Sequence, residues 1–352
     1  MRVLMTADAV GGVWTYATEL ARALERHSVE IVLAVMGEPA PPPERPLNVI
    51  ALYHRPLKLE WMDEPWDDVR RAGEWLLELE ERFEPTVIHL NGYVHAALPW
   101  RAPVLAVGHS CVFSWWEAVR GGAPPPVWNR YRASVAAGLA AARVVIAPSR
   151  RMLEALRRHY GLRGGVVIPN AVERGVATGG PALPDQFVFS AGRFWDEAKN
   201  VRALVEVAPR LRWPVYVAGD GVPHGECVHA LGRLTPGEMA WCYARAPIYA
   251  LPALYEPFGL SVLEAALSGC ALVLGDIPSL REHWDGAAVF VPPRDTFWLE
   301  AALSRLISDA RYRASMQRAA RERSHRFSPA RMAHAYLAAY AGTLSAEAAC
   351  AS

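Results

Sequence analysis

Residues 255–264, YEPFGLSVLE, place two carboxylates eight positions apart around a turn that leads into a helix. The preceding residues 248–254 form an apolar run of strand length, and residues 257–259 carry the Pro and Gly that break it. Glu256 therefore lies in the turn, whereas Glu264 lies on the helix that follows. This stretch predicts a strand, a turn and a helix, which is the repeating unit of a parallel α/β fold.

Glu264 is expected at the border of the helix face that packs into the core. Leu260, Leu263 and Leu267 recur at helical spacing, and at about 100° per residue Glu264 falls about 40° from Leu260. A carboxylate at such a border is costly to bury unless a donor pairs with it. The hydroxyls of a ribose would supply that donor.

The start of the same helix offers backbone donors. The N–H groups of Phe258, Gly259 and Leu260 lie at the positive end of the helix dipole and would suit a phosphate. Together with Glu256 and Glu264 they would form one surface for a nucleotide sugar. Spacing alone favours equally a plain strand–turn–helix with one exposed glutamate and one paired with an arginine.

The wider block of residues 256–282, EPFGLSVLEAALSGCALVLGDIPSLRE, resembles the donor-binding signature of the retaining glycosyltransferases with the GT-B architecture, specifically family four. In that family the first Glu of an E-x7-E motif contacts the transferred sugar and the second holds the ribose; by position these are Glu256 and Glu264. The resemblance implies an α/β fold of two Rossmann-like, doubly wound domains that face each other across a cleft. It also implies that a sugar leaves a nucleoside-diphosphate sugar with retention at the anomeric carbon.

Strand-like runs alternate with helical ones along the chain, at residues 3–6, 29–35, 49–52, 87–90, 104–107, 144–147 and 166–168, and again at 187–190, 215–218, 248–251, 271–274 and 289–291. Between the two sets, residues 171–185 are rich in Gly and Pro and lack periodicity. We therefore predict a domain at 1–170, a linker at 171–185 and a second domain at 186–327. By the resemblance they are the acceptor side and the nucleotide-sugar donor side, and a last helix at 328–345 joins the first domain.

Residues 190–200, SAGRFWDEAKN, follow a strand of the second domain and would present Arg193 and Lys199 to a diphosphate. The chain has two lysines, Lys58 and Lys199, among its 37 lysine and arginine residues. Position 199 therefore has an ammonium group in a chain that otherwise mostly uses arginine. A lysine supplies a compact charge to one oxygen, whereas arginine forks onto two. The plain alternative is a surface loop with a lysine at the start of a helix. The position before the E-x7-E block matches the family pattern and favours the functional interpretation.

Two positions of the first domain are further candidates. Gly11 and Gly12 follow a strand and precede a helix, where a backbone N–H can approach a phosphate or can simply make a tight turn. His109 follows the strand at 104–107, although a lone histidine is more often structural. The resemblance implies that Gly12 touches the donor phosphate or the acceptor, and that His109 donates or accepts a hydrogen bond with the transferred sugar.

The segment after the strand at 215–218 excludes one class of enzyme. Gly219-Asp220-Gly221 resembles a dinucleotide fingerprint, but the strand-like residues 228–231 leave no helix to receive a pyrophosphate, so an oxidoreductase is not predicted. The resemblance instead implies that the backbone near Leu234 contacts the nucleobase.

Composition agrees with a two-domain enzyme. The chain has 352 residues, 52% hydrophobic content and a net charge of +1, which argues against a nucleic-acid partner. No apolar run has the roughly 18 residues of a membrane span, and the N-terminus lacks a signal-peptide core, so we expect a cytoplasmic protein. Arg150, Arg151, Arg157 and Arg158 share one helix that could contact the inner membrane surface or an anionic acceptor, or could be a solvated face. Five scattered cysteines indicate neither a disulfide framework nor a zinc site.

The charges of the reaction complete the hypothesis. Breaking the bond from the anomeric carbon leaves positive charge on the sugar and negative charge on the phosphate. The sequence has no D-x-D metal motif, so we expect a metal-independent hexosyltransferase without cofactor in which Arg193, Lys199 and the helix amides stabilise the phosphate. The acceptor is expected to be a sugar, a glycolipid or a small molecule, and the oligomeric state stays open. Two alternatives remain, a nucleotide-sugar epimerase of the same architecture and a catalytically silent nucleotide-sugar-binding subunit.

Overall fold

The computed structural model describes residues 1–9, 11–38 and 46–348. The chain divides into two compact units. Unit 1 consists of Met1–Ala171 with the segment that starts at Pro329, and unit 2 consists of Val172–Ser328.

Unit 1 is built on a sheet that, in the described part of the chain, has seven parallel strands: β1 (Arg2–Asp8), β2 (Glu30–Met36), β3 (Ala51–Arg55), β4 (Val87–Leu90), β5 (Val104–Val107), β6 (Val144–Ala147) and β7 (Val166–Val167). Their order is β3-β2-β1-β4-β5-β6-β7. The central strands are apolar on both faces, as expected for a parallel sheet covered by helices. The order reverses between β1 and β4, which is where a doubly wound sheet offers a binding crevice at the carboxyl ends of its strands.

The helices that cover this sheet are α1 (Gly12–Glu25), α2 (Trp66–Phe83), α3 (Val112–Arg120), α4 (Asn129–Ala141) and α5 (Arg150–Tyr160). Helix α5 shows why these boundaries fall where they do. The hydroxyl of Ser149 accepts a hydrogen bond from the N–H of Met152 at its start, and Gly161 ends it in the left-handed conformation.

Unit 2 repeats the design with strands β8 (Val188–Ala191), β9 (Val215–Ala218), β10 (Val228–Gly232), β11 (Ile248–Leu251), β12 (Ala271–Gly275) and β13 (Val289–Val291), all parallel. Their order within the residues described is β10-β9-β8-β11-β12-β13. Its helices are α6 (Val201–Val207), α7 (Pro236–Arg245), α8 (Leu260–Ser268), α9 (Pro278–Trp284), α10 (Thr296–Ser308) and α11 (Ala310–Ser324). The predicted class, two Rossmann-like doubly wound α/β domains, is confirmed.

Helix α8 corrects one detail of the sequence analysis. Its buried residues are Val262, Leu263, Ala265 and Ala266, whereas Leu260 and Leu267 are only partly buried. The helix packs against α7 and α11 as well as against the sheet. Because α8 has neighbours on several sides, its buried face includes small residues that allow a close approach. The spacing of the leucines alone does not predict this face.

The last helix, α12 (Pro329–Ala348), packs on α1 and the neighbouring strands of unit 1. The Tyr340 hydroxyl lies 2.7 Å from Nδ1 of the fully buried His89, and the Tyr16 hydroxyl lies 3.2 Å from its Nε2. Burial lowers the pKa of His89 to about 3, so the ring is neutral and its nitrogens pair with hydroxyl groups. None of the helices in the described residues combines the length and hydropathy needed to cross a bilayer.

Candidate active site

In unit 2, the loops after β8 and β11 bring Lys199 and Glu256 together. The Nζ of Lys199 lies 2.5 Å from Oε2 of Glu256, and the two side chains are only 15% and 13% exposed. Asn200 fixes this arrangement, because its side-chain amide donates to the carbonyls of Pro252 and Pro293 in two neighbouring loops. Two residues that are 57 positions apart in sequence thus form one largely buried ion pair at the carboxyl end of the sheet.

The carboxylate of Glu256 also occupies the start of α8. Its Oε1 accepts hydrogen bonds from the N–H of Gly259 at 3.0 Å and of Phe258 at 3.4 Å. Gly259 has a φ of 89°, a left-handed conformation that favours glycine at this turn. The N–H groups of Phe258, Gly259 and Leu260 were expected from the sequence to face a phosphate; those of Phe258 and Gly259 donate to Glu256 instead. The spacing of the residues did not show that a neighbouring side chain caps two of these amides.

Electrostatics keeps the carboxyl group of Glu256 ionised. Burial raises the pKa of Glu256, but the charge and hydrogen bond of Lys199, the N–H of Phe258 and the charge of Arg193 act in the opposite direction and leave the pKa below its ordinary value. The guanidinium of Arg193 lies 5.3 Å from the ring centre of Trp195. The site therefore holds an ionised carboxylate and two cations before any substrate arrives.

Glu264 has a protein donor that the sequence did not suggest. The hydroxyl of Tyr243, a residue of α7 that is 2% exposed, donates to Oε2 of Glu264 at 3.3 Å. Tyr243 thereby orients the carboxylate predicted to hold the ribose. It escaped the sequence analysis because nothing in the α7 sequence distinguishes it from a core aromatic residue.

Leu234 lies in the loop between β10 and α7, partly buried against the core of unit 2. It directly precedes Thr235, which caps α7 in a reciprocal pair of hydrogen bonds with Glu238. The capped helix gives this loop a fixed backbone, which a nucleobase contact through main-chain atoms requires.

In unit 1, His109 follows β5 and is partly buried. Its Nε2 lies 2.9 Å from the Oδ1 of Asn91, whose Nδ2 donates to the carbonyl of Thr6. Since that oxygen accepts, Nε2 carries the proton and Nδ1 is left as an acceptor. Its ring meets Tyr16 edge to face at 4.5 Å, and burial lowers the pKa of His109 to about 3. The histidine is thus a neutral group at physiological pH.

Gly12 is the first residue of α1 and is exposed. The residue before it, Gly11, has a φ of 99° and ψ of −143°, a conformation that L side chains avoid. The glycine requirement therefore lies at Gly11, and Gly12 contributes an N–H at the start of the helix.

A carboxylate of unit 1 was missed altogether by the sequence analysis. Glu60, in the loop between β3 and α2, accepts hydrogen bonds from the N–H of Val94 at 3.0 Å and of Tyr93 at 3.2 Å. Burial raises the pKa of Glu60 to about 7. The two N–H groups lower the pKa by less than burial raises it, and the charge of Asp8 has the smallest effect, which is to raise it. No motif marks Glu60, since its partners lie more than 30 positions away in sequence.

The arginines of α5 are largely used within unit 1. Arg151 pairs with Glu154, Arg157 donates to the carbonyl of Gly164, and Arg158 pairs with Glu117. These contacts favour the solvated face over a membrane surface. Within the residues that the structure describes, no group of three or more His, Cys, Asp or Glu side chains is arranged to hold a metal ion.

Comparison with known proteins covers both units. Residues 10–175 match the family model described as Glycosyltransferase Family 4, and residues 185–309 match the one described as Glycosyl transferases group 1. Glycogen synthase from Mycobacterium tuberculosis is 31% identical over 144 residues, which are 36% of this chain and 35% of that protein. The chain thus spans about a third of the length of that relative.

Solved structures match over the whole chain. Sucrose-phosphate synthase from Thermosynechococcus elongatus has a TM-score of 0.82 at 18% identity and covers 98% of this chain and 100% of its own. Anabaena HepE, in complex with UDP and glucose, has a TM-score of 0.73 at 14% identity over 97% of this chain and 99% of its own. At these identities the structures show a shared fold. With family models matching in both units, this chain belongs to the glycosyltransferases of family four and group 1.

Proposed function

We propose that this chain is a retaining, metal-independent hexosyltransferase that moves a sugar from a nucleoside-diphosphate sugar to a hydroxyl of an acceptor. The observation that carries the proposal is the buried Lys199–Glu256 pair beside Arg193 at the start of α8. Burying ions is costly, and a buried pair is weak evidence of a purely stabilising role. A site for a charged ligand explains why the pair is kept.

Unit 2 holds the donor in this proposal. The diphosphate takes its charge compensation from Lys199 and Arg193, and the carboxylate of Glu256 leaves the α8 amides to contact hydroxyls of the transferred sugar. A phosphate can then use the N–H groups of Phe258 and Gly259. The ribose lies on Glu264, held in place by Tyr243, and the base lies against the backbone at Leu234. The HepE complex with UDP and glucose supports a donor of this class.

Unit 1 acts on the sugar and the acceptor. The Nδ1 of His109 accepts a hydrogen bond from a hydroxyl of the transferred sugar, and Gly12 approaches the phosphate or acceptor with its N–H. The acceptor oxygen attacks the anomeric carbon on the face that the phosphate leaves, and the departing phosphate takes the acceptor proton. Lys199 and Arg193 stabilise the charge that develops on the phosphate, as preorganised donors do elsewhere.

The experiment is a donor screen with the purified full-length chain. UDP-, GDP- and ADP-sugars are tested first for thermal stabilisation, since a ligand at 100 times its Kd stabilises the folded state by about 2.7 kcal/mol. Products formed with a panel of sugar acceptors are then assigned by mass spectrometry and NMR, with and without EDTA. Retained anomeric configuration and unchanged turnover in EDTA are expected. Inversion, or loss of turnover in EDTA, would contradict the mechanism; release of an isomerised donor would indicate an epimerase, and binding without turnover would indicate a silent subunit.

A further inference from the structure

Glu60 is a carboxylate at the substrate end of unit 1 for which the proposed reaction has no role so far. We propose that Glu60 accepts a hydrogen bond from a hydroxyl of the acceptor and restricts this position to an uncharged, hydroxyl-bearing sugar or polyol. The inference rests on the proposed glycosyltransferase activity and adds the class of acceptor to it.

The position of Glu60 is set by the loop after β4. Its carboxylate is held by the N–H groups of Tyr93 and Val94. Two residues earlier in the same loop, Asn91 holds His109. Between them, a Cβ on Gly92 would lie 3.5 Å from Oε2 of Glu60, so the carboxylate packs closely on this loop. Glu60 and His109 therefore both contact the loop after β4, at the carboxyl end of the sheet, where substrates of doubly wound folds bind.

A purely structural carboxylate in the same unit provides the contrast. Glu80, on α2, is 6% exposed and accepts hydrogen bonds from the N–H groups of Arg101 and Ala102, both at 2.9 Å. Those residues precede β5, so Glu80 caps a loop at the opposite, amino end of the sheet. Each glutamate is held by two backbone N–H groups, but only Glu60 lies at the end that carries His109.

The charges around Glu60 indicate what it binds. Asp8, at the end of β1, acts on it with a second negative charge. The ammonium of Lys58, two residues away, donates instead to the carbonyl of Asp63. His109 is neutral because burial lowers its pKa to about 3. A phosphate placed here would meet two carboxylates, whereas a hydroxyl can donate to one of them.

Titration of Glu60 gives the inference a signature of its own. Burial raises its pKa to about 7, so the carboxyl loses its charge, and weakens as an acceptor, as the pH falls below that value. The titratable groups that face it are Asp8 from β1, Tyr131 from α4 and, through Asn91, His109 from the loop after β5. Burial raises the pKa of Tyr131 well above its ordinary value and lowers that of His109, so neither titrates near neutrality.

The test compares Glu60→Gln with Glu80→Gln in the full-length enzyme. Methyl glucoside, methyl mannoside, glucose 6-phosphate and mannose 6-phosphate serve as acceptors, with the donor found by thermal screening. We expect the wild type to prefer the neutral glycosides. Glu60→Gln should raise the acceptor KM about ten- to 100-fold, the scale for losing a hydrogen bond to a charged group, while donor KM and donor hydrolysis stay within twofold. The acceptor KM of the wild type should rise below pH 7, and that rise should be absent in Glu60→Gln.

Glu80→Gln should lower the melting temperature without changing the acceptor KM. An unchanged acceptor KM in Glu60→Gln, equal KM changes in both variants, or a preference for phosphorylated acceptors would overturn the inference. A wild-type enzyme that transfers to none of the acceptors with any donor would instead count against the proposed function.

Discussion

The carboxyl ends of the two sheets have the same topology and opposite electrostatics. In unit 2 the loops after β8 and β11 bury an ion pair, Lys199 with Glu256, and the surroundings hold the pKa of Glu256 below its ordinary value. In unit 1 the loops after β4 and β5 hold His109, whose pKa burial lowers to about 3, and Glu60, whose pKa burial raises to about 7. One sheet end keeps its groups charged, and the other shifts them towards neutrality.

This difference arises from the charged and hydrogen-bonding groups next to each side chain, not from the fold. Burial disfavours the charged form at both ends, but in unit 2 the charges of Lys199 and Arg193 and the amide of Phe258 outweigh it. Fixed charges suit a ligand that carries charge, such as a diphosphate. Neutral acceptors and donors suit hydroxyl groups, which bind without a counter-ion. These ionisation states support the proposed division into a donor side and an acceptor side.

The largest expected effect concerns acid, and it tests whether unit 1 depends on neutral histidine. His89 is fully buried, and burial lowers its pKa from 6.5 to about 3. The unfolded chain binds a proton below pH 6.5 and the folded unit does not, so stability is present above that pH and is lost as the pH falls towards 3. The full loss is on the order of 5 kcal/mol. Hydrogen exchange of β4 and β5, followed by mass spectrometry between pH 7.5 and 4, measures it.

His89→Phe is the control for this effect, because it removes the titrating ring. It should lower protection at pH 7.5, since the hydroxyls of Tyr16 and Tyr340 lose a partner, but its protection should depend less on pH than that of the wild type. Equal pH dependence in both proteins would show that His89 is not the group responsible.

The next effect tests whether the cation of unit 2 acts on the transition state. Lys199→Ala should reduce kcat about 10²- to 10³-fold, or about 3 kcal/mol, because the developing phosphate charge loses a preorganised donor. It also leaves Glu256 buried without its cation. Lys58→Ala, the change of the other lysine of the chain, removes an exposed ammonium that binds a backbone carbonyl. Steady-state kinetics should show near wild-type turnover for it, and comparable losses in both variants would remove the assigned role of Lys199.

Asn200 tests whether the ion pair depends on its loops. Its side chain donates to two carbonyls, and its φ of 53° is left-handed. Asn200→Ala loses both hydrogen bonds and strains the backbone, so we expect about 2 to 3 kcal/mol of destabilisation. Asn200→Gly loses the same bonds but accepts the conformation and should cost about 1 kcal/mol less. Denaturant unfolding of the two variants separates these contributions; identical losses would show that backbone conformation is irrelevant here.

The sequence predicts the helices, strands and motifs that depend on neighbouring residues, and misses side-chain contacts that form only in the folded chain. Apolar runs such as residues 248–251 and 271–274 are recognisable as buried strands because both faces are covered, and their alternation with helices predicted the fold class that the structure confirms. The E-x7-E motif could also be recognised, since Glu256 and Glu264 lie only eight positions apart in the sequence. The roles of these residues with the donor stay predictions.

Three features had no local signal. Glu60 meets Tyr93 and Val94 only after β4 has taken its place in the sheet, and Tyr243 meets Glu264 only when α7 and α8 pack together. The capping of the α8 amides by Glu256 depends on a side-chain rotamer, which spacing does not determine. In the first two cases the missing information is a contact made by tertiary packing, and in the third it is the conformation of one side chain.

The smallest expected effect tests how much donor binding in unit 2 depends on the uncharged hydroxyl of Tyr243. Tyr243→Phe removes the hydroxyl that donates to Glu264 and keeps the buried ring. Losing one such hydrogen bond to a carboxylate costs about 1.5 kcal/mol, so donor KM should rise about tenfold while kcat changes little, because the ribose is held alike in the ground and transition states. Tyr249→Phe is the matched control. It removes the hydroxyl that donates to Ser261, which lies on α8 as Glu264 does, and it should leave donor KM nearly unchanged. A lower kcat with unchanged KM in Tyr243→Phe would mean that Glu264 acts on the reacting sugar, and the ribose assignment would then be wrong.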